Sequence, residues 1–191
     1  MKEKSEYALA GVDYTLLEPF KQHMAAVGRQ TLDFPYQRHG VRVRSAEHGA
    51  VFEYRGTKPH LFCSVLEGLG NLNWIAEWMY EFSGTGKTYY DVIARAAALI
   101  IAIDVIAQGA RPVFWEDGVS AGDSEWFNDV KRRGDYAQGA LAVCRELGMA
   151  LPAGESPSLK YIIKAHPPVV SCPDLMGQIT GIIAPRDQEI K

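Results

Sequence analysis

Asp104 is the only charged residue between positions 96 and 108, a stretch that reads Ala-Ala-Ala-Leu-Ile-Ile-Ala-Ile-Asp-Val-Ile-Ala-Gln. Burying a bare carboxylate among such neighbours is costly, so the residue requires an ion-pair partner, hydrogen bonds, a proton or a cation. The nearest upstream charge is Arg95. At about 100° per residue it falls on the opposite face of a helix and cannot serve as that partner. Two readings stand at this level: a core Asp satisfied by a distant Arg or a cap, and a carboxylate facing a metal-bound phosphate.

A second candidate is Glu67-Gly68-Leu69-Gly70-Asn71, which follows an apolar strand-like run and precedes a helix-like one. Paired glycines let backbone N–H groups approach an anion, and the helix N-terminus adds a favourable dipole. A plain turn is the alternative. Gly86-Lys87-Thr88 resembles the end of a phosphate-binding P-loop. That loop needs glycine at position 81, where Glu81 stands, and a buried strand before it, so a polar loop leading into the next helix is preferred. His23, His39, His48, His60 and His166 show no metal-ligand spacing and are read as incidental. Cys63, Cys144 and Cys172 are widely spaced, and the tryptophans suit a core or an interface better than a stacking platform.

The elements that must position these residues follow from periodicity. Residues 14–27 carry Leu16, Leu17, Phe20, Met24 and Val27 at helical spacing. Residues 28–49 read as an irregular loop. Residues 50–55 and 60–66 read as strands joined at Gly56-Thr57-Lys58-Pro59. Residues 73–81 read as a short aromatic helix. Thr88, with Asp91 three positions on, suggests the capped start of a helix running to Ala107 and stopped by Gly109. Residues 112–115 read as a strand, 118–123 as a loop, and the segment to Leu147 as a polar helix ended by Gly148. Residues 159–164 and 177–184 read as further strands, and 185–191 as a charged linker or cut end. The alternation implies an α/β or α+β domain.

Composition narrows the function classes. With 191 residues there is room for one domain with a substantial core. A net charge of −3 and a pI near 6.0 give no reason to expect nucleic acid or an anionic membrane as partner. The longest apolar run, about 12 residues, is too short to span a bilayer. Reduced thiols and no signal-like N-terminus suggest a cytoplasmic protein.

Several motifs in order then carry a resemblance. They are Tyr7-Ala8-Leu9-Ala10-Gly11-Val12-Asp13-Tyr14, Glu67-Gly68-Leu69-Gly70, Gln108-Gly109-Ala110-Arg111-Pro112-Val113-Phe114 with Asp117, Gly148-Met149-Ala150-Leu151-Pro152-Ala153-Gly154-Glu155-Ser156, and Pro173-Asp174-Leu175-Met176-Gly177. In this order the chain resembles the N-terminal domain of the aminoimidazole ribonucleotide synthetase superfamily. Tyr89-Tyr90-Asp91 and Gly122-Asp123-Ser124-Glu125-Trp126-Phe127 point to its synthetase-related branch. The resemblance implies a mixed β-sheet with helices packed on one face, two such sheets pairing into a barrel-like homodimer. It also implies an ATP-dependent cyclo-ligase of purine biosynthesis, in which ATP activates an amide oxygen and an amidine nitrogen closes the ring.

The same resemblance implies a nucleotide site of Glu67, Gly68, Gly70, Asn71, Asp104, Gly154, Glu155 and Ser156. Mg²⁺ would be held by Glu67, Asp104, Asp117 and Glu155, since hard cations prefer oxygen ligands and bridge phosphates. Residues 1–184 would be the ATP-binding domain, its substrate site completed by a C-terminal partner domain or subunit. The chain departs from the pattern in three places: Asn71-Leu72 replaces Thr-Lys, Ile103 replaces Asn, and Ala153 replaces Gly. The first two departures motivate a second expectation, a dimerising, ligand-binding module without catalysis.

Overall fold

The computed structural model describes residues 6–46 and 49–190. A four-stranded sheet is built from β3 (Leu61–Gly68), β6 (Asp174–Ile183), β4 (Arg111–Ser120) and β5 (Ala150–Glu155), in that spatial order. β6 runs antiparallel to both of its neighbours, β3 and β4, whereas β4 and β5 run parallel. A parallel pair needs a long crossover. Here it is α6 (Glu125–Asn128) followed by α7 (Val130–Leu147).

One face of the sheet is covered by helices, as the resemblance implies. α2 (Tyr14–Thr31), α5 (Tyr90–Ala107) and α7 pack there, with α4 (Leu72–Phe82) at the flank and α1 (Glu6–Leu9) at the N-terminus. Strand alternation turns Trp115 and Val119 of β4 and Ile179 of β6 into this layer. Phe20, Tyr90, Trp126, Phe127 and Tyr136 form an aromatic cluster, with Phe20 and Phe127 edge to face at 5.1 Å. Such a pair contributes about 0.5–1.5 kcal/mol beyond its buried area. α5 and α7 approach closely at Gly139, where an added Cβ would run into the Asp91 carbonyl oxygen.

A buried charge ties four helices together. Glu77 is fully shielded from solvent. Its Oε1 accepts from the Tyr90 hydroxyl at 2.7 Å and the Trp126 indole N–H at 2.5 Å, and its Oε2 accepts from Arg132 at 2.9 Å. The Arg132 guanidinium lies over the Trp126 ring, 5.1 Å from its centroid.

The other face of the sheet carries a hairpin, β1 (Val41–Ala46) and β2 (Gly49–Tyr54). The irregular loop expected over 28–49 is therefore corrected. α2 runs on to Thr31, α3 (Phe34–His39) follows, and β1 begins at Val41. Val41 and Val43 are buried while Arg42 and Arg44 face solvent, the period-two pattern of a half-buried strand. Val41, Val43, Val113, Phe114 and Ile182 make the small core beneath the hairpin. A register shift between Pro112 and Phe114 is the irregularity by which adjacent residues Val113 and Phe114 both reach that core.

Two other expectations change. Residues 159–164 do not form a strand. The amides of Ile162 and Ile163 both return to the Leu159 carbonyl, and Tyr161 and Ile162 stay exposed. The run is apolar but has no ladder partner. Residues 118–120, expected in a loop, continue β4 to Ser120, and β5 is a strand where only a motif was noted. The tail makes a 3-10 turn, Arg186–Gln188, and the Ile190 amide donates to the Gln108 carbonyl. His48 lies outside the described residues. No described helix is long and apolar enough to cross a membrane.

Candidate functional site

Strand register lines up candidates from separate parts of the chain. Glu67 on β3 faces Gly177 on β6, Gly177 faces Asp117 on β4, and Asp117 faces Gly154 on β5. The next row along is Gly68, Met176, Gly118 and Glu155. With neighbouring strands about 4.8 Å apart, Glu67 and Asp117 sit roughly 10 Å from each other across the sheet. Gly177 is required between them: a Cβ there would lie 2.5 Å from the Trp115 indole nitrogen and 2.9 Å from the Glu116 carbonyl oxygen. Gly154 is constrained in the same way, 2.9 Å from the Asp117 carbonyl oxygen.

Asp117 is the unusual group in this row. Its carboxylate is buried against α7, where Oδ1 accepts from the Tyr136 hydroxyl at 2.9 Å. Burial lifts its pKa from 3.8 to about 7, against the opposing pull of the Tyr136 hydroxyl and the Gly118 amide. It is therefore a carboxylate that exchanges its proton near neutrality. Perturbed acids of this kind cluster at functional sites, although structural networks also produce them.

Two cavities meet at the end of β5. A groove of about 600 Å³ is lined by Leu66, Asp117, Gly118, Gly154, Glu155 and Met176 among others. A second cavity of about 430 Å³ lies between α2 and β5 and shares Asp117, Gly154 and Glu155. It adds Ser156 and two cations from α2, Lys21 and Arg29. Lys21 and Arg29 are absent from the sequence-based site. Their signal was present in the helical spacing of 21, 25, 28 and 29, which puts them on one side of α2 with Ala25 and Gly28.

The glycine-rich turn sits at the same end of the sheet, where β3 gives way to α4. The Leu69 amide donates to the Leu175 carbonyl, Gly70 adopts a left-handed φ of 71°, and Asn71 occupies the N-cap position of α4 without a side-chain capping bond. A groove of about 570 Å³ opens beside it, lined by Gly70, Asn71, Trp74, Lys164, His166 and Asp174. Lys164 thus brings a cation to the turn from a distant segment, where the turn itself has Leu72.

The burial expected of Asp104 is corrected. The residue is exposed, beside exposed Ile103 and Ile106, and lines none of the cavities described above. α5 turns Ala98, Ile101, Ala102 and Val105 inward, and Asp104 falls on the outer side. Because α5 is apolar nearly all round, its sequence gave no sign of which face was buried. The expected meeting of Glu67, Asp104, Asp117 and Glu155 is not seen. Among the described residues, no three His, Cys, Asp or Glu side chains sit close enough to hold a metal ion. Glu67 and Glu155 are exposed, at opposite edges of the sheet end. The Gly86-Lys87-Thr88 loop follows a helix rather than a strand, as expected of a polar connector. All three cysteines are free thiols.

No family model matches the chain. Among curated proteins, the phosphoribosylformylglycinamidine cyclo-ligase of Lactobacillus acidophilus is 29% identical over 189 residues, covering 96% of this chain and 47% of that protein. The same enzyme from Syntrophus aciditrophicus is 26% identical over 185 residues, with the same two coverages. The chain is similar to the N-terminal domain of the cyclo-ligase. It spans about half the length of these curated relatives. The similarity to the aminoimidazole ribonucleotide synthetase superfamily expected from the motifs is therefore borne out along nearly the whole chain. Among solved structures, the thiamine-monophosphate kinase of Stenotrophomonas maltophilia overlays with a TM-score of 0.47 at 12% identity, covering 91% of this chain and 43% of that one. Phosphoribosylformylglycinamidine synthase II of Thermotoga maritima gives 0.43 at 13% identity, covering 79% and 21%.

Proposed function

We propose that the chain is the nucleotide-binding half of a cyclo-ligase-like, ATP-dependent enzyme of purine biosynthesis, with Mg-ATP at the end of the sheet. The observation that carries this reading is the meeting of three stretches of the resemblance at one end of the sheet: Glu67-Gly68-Leu69-Gly70, Asp117 and Gly154-Glu155-Ser156. Backbone amides of Gly68, Gly70 and Asn71 suit a phosphate chain, and Lys21, Arg29 and Lys164 are cations within the adjoining cavities. Mg²⁺ on nucleotide phosphates needs only one or two protein carboxylates. Glu67 fits that demand, Asp117 does so once its proton is lost, and Glu155 stands in the next row. A preformed four-carboxylate cage does not fit this arrangement. Within this reading residues 1–184 are one ATP-binding domain, 185–191 are a linker whose Arg186 and Ile190 amides pack back on Pro59 and Gln108, and a C-terminal domain or subunit completes the substrate site.

Calorimetric titration tests this. The chain is expected to bind Mg-ATP with a Kd between micromolar and millimolar, roughly −8 to −4 kcal/mol. Absence of heat and of any thermal shift at millimolar Mg-ATP overturns nucleotide binding.

A specific observation favours a second reading, a dimerising module without catalysis: Leu72 stands where the superfamily has Lys, and Asp104 is exposed and lines none of the sheet-end cavities. Both readings include a homodimer formed through the sheet. β3 is an edge strand whose Phe62 and Leu66 are exposed, the kind of edge a partner sheet covers. Light scattering is expected to give twice the 21.1 kDa chain mass, and a monomer mass contradicts the pairing.

A further inference from the structure

We propose that the basic pocket at the C-terminal end of α3 binds a phosphate group, at a site separate from the sheet-end grooves. Three segments converge there: Arg38 and His39 from the last turn of α3, Thr57 and Lys58 from the turn after β2, and Arg111 from the start of β4. They line a cavity of about 290 Å³, to which no carboxylate contributes. Arg111 lies six positions along β4 from Asp117, about 20 Å at strand spacing, so the pocket is at the far end of the sheet.

The pocket is built rather than a loose surface patch. Arg38 is fixed in place: its two terminal nitrogens donate to the carbonyls of Glu146 and Arg145 at 2.9 and 3.1 Å, closing the C-terminus of α7. Beside it, both ring nitrogens of His39 are shut off from solvent, and the Arg38 backbone is the polar group that bears on the ring. Around His39 the charged or titratable groups lining the pocket are Arg38, Lys58, Arg111 and the Tyr54 hydroxyl. Burial first, and then the charges of Arg111 and Arg38, hold the imidazole pKa below its ordinary 6.5, against the opposing pull of a hydrogen bond with the Arg38 backbone.

An anion reverses that balance. A phosphate set between Arg111 and Lys58 offsets the cationic charge beside His39, so the imidazole takes up a proton more readily. Anion binding and His39 protonation are therefore linked, and affinity rises as pH falls through the imidazole range. The volume exceeds that of a bare phosphate, leaving room for the group of a small phosphate monoester.

The test follows the His39 ring by NMR across pH, with and without millimolar inorganic phosphate at constant ionic strength set with chloride. Phosphate is expected to raise the His39 pKa by about half a unit or more, with His23 and His166 unmoved. Arg111→Gln and Lys58→Gln, each checked for native circular dichroism, are expected to lose that rise. A ribose 5-phosphate arm separates sources: saturation at lower concentration than inorganic phosphate assigns a monoester, and equal saturation assigns free phosphate. An unchanged His39 pKa in saturating phosphate, or an equal rise in chloride alone, overturns the proposal.

Discussion

The Tyr136 hydroxyl donates to Asp117 Oδ1 at 2.9 Å inside the core, joining the long crossover helix to the strand at the middle of the candidate site. The bond holds a carboxyl whose pKa is about 7 in the folded chain against 3.8 as a free side chain. Between those values the folded state keeps a proton that the unfolded state has lost. The associated stability is complete below about pH 4 and disappears as pH rises through about 7. The upper bound is about 4 kcal/mol, at 1.36 kcal/mol per pKa unit. Urea unfolding of the unliganded chain is expected to show falling stability from pH 5 to pH 8. Asp117→Asn, whose amide oxygen still accepts from Tyr136, is expected to flatten that slope. A wild-type slope unchanged by the substitution contradicts a neutral buried Asp117.

Glu77 and Arg132 offer a different test, because neither lies in the grooves. Glu77→Ala leaves the Arg132 guanidinium buried without its carboxylate and strands the Tyr90 and Trp126 donors. The expected cost is about 3–5 kcal/mol. Replacing both by apolar residues of similar size, Glu77→Leu with Arg132→Met, is expected to recover a large part of it. The comparison is read from denaturation midpoints, and a double variant as weak as the single one contradicts an uncompensated charge as the cause.

Asp104 is exposed, so its removal should be nearly silent. Asp104→Asn is expected to change stability by no more than about 0.5 kcal/mol, the ordinary range for surface substitutions. A melting temperature many degrees lower would mean that this carboxylate has a structural partner.

How much of this was legible in the sequence depends on where the information lay. The helix starting at Tyr14 and the one ending at Gly148 carried periodicity and a stop signal, and both appear. Gly148 indeed adopts a left-handed φ of 68°. Thr88 was expected to cap α5; instead Tyr89 takes the cap position at φ 62°, with the Thr88 hydroxyl accepting from the Tyr90 amide. The strand β1 was hidden because its alternation, Val41 and Val43 against Arg42 and Arg44, lies in a short arginine-rich stretch. The glycine-rich turn and Glu155 could be named from motifs, yet their relation to Asp117 depends on cross-strand register, which no local pattern encodes. Asp104 misled for the opposite reason: an all-apolar run shows that a helix is packed but not which residues face inward.

The most direct test of the sheet-end nucleotide site is an NMR titration of the ¹⁵N-labelled chain with Mg-ATP. The backbone amides of residues 68–71, 118 and 154–156 are expected to shift together and saturate by millimolar ligand. Asp104 and the pocket around His39 should be left outside that response. Saturable shifts confined to the His39 pocket, or none near Gly68, Gly118 and Gly154, would contradict the site.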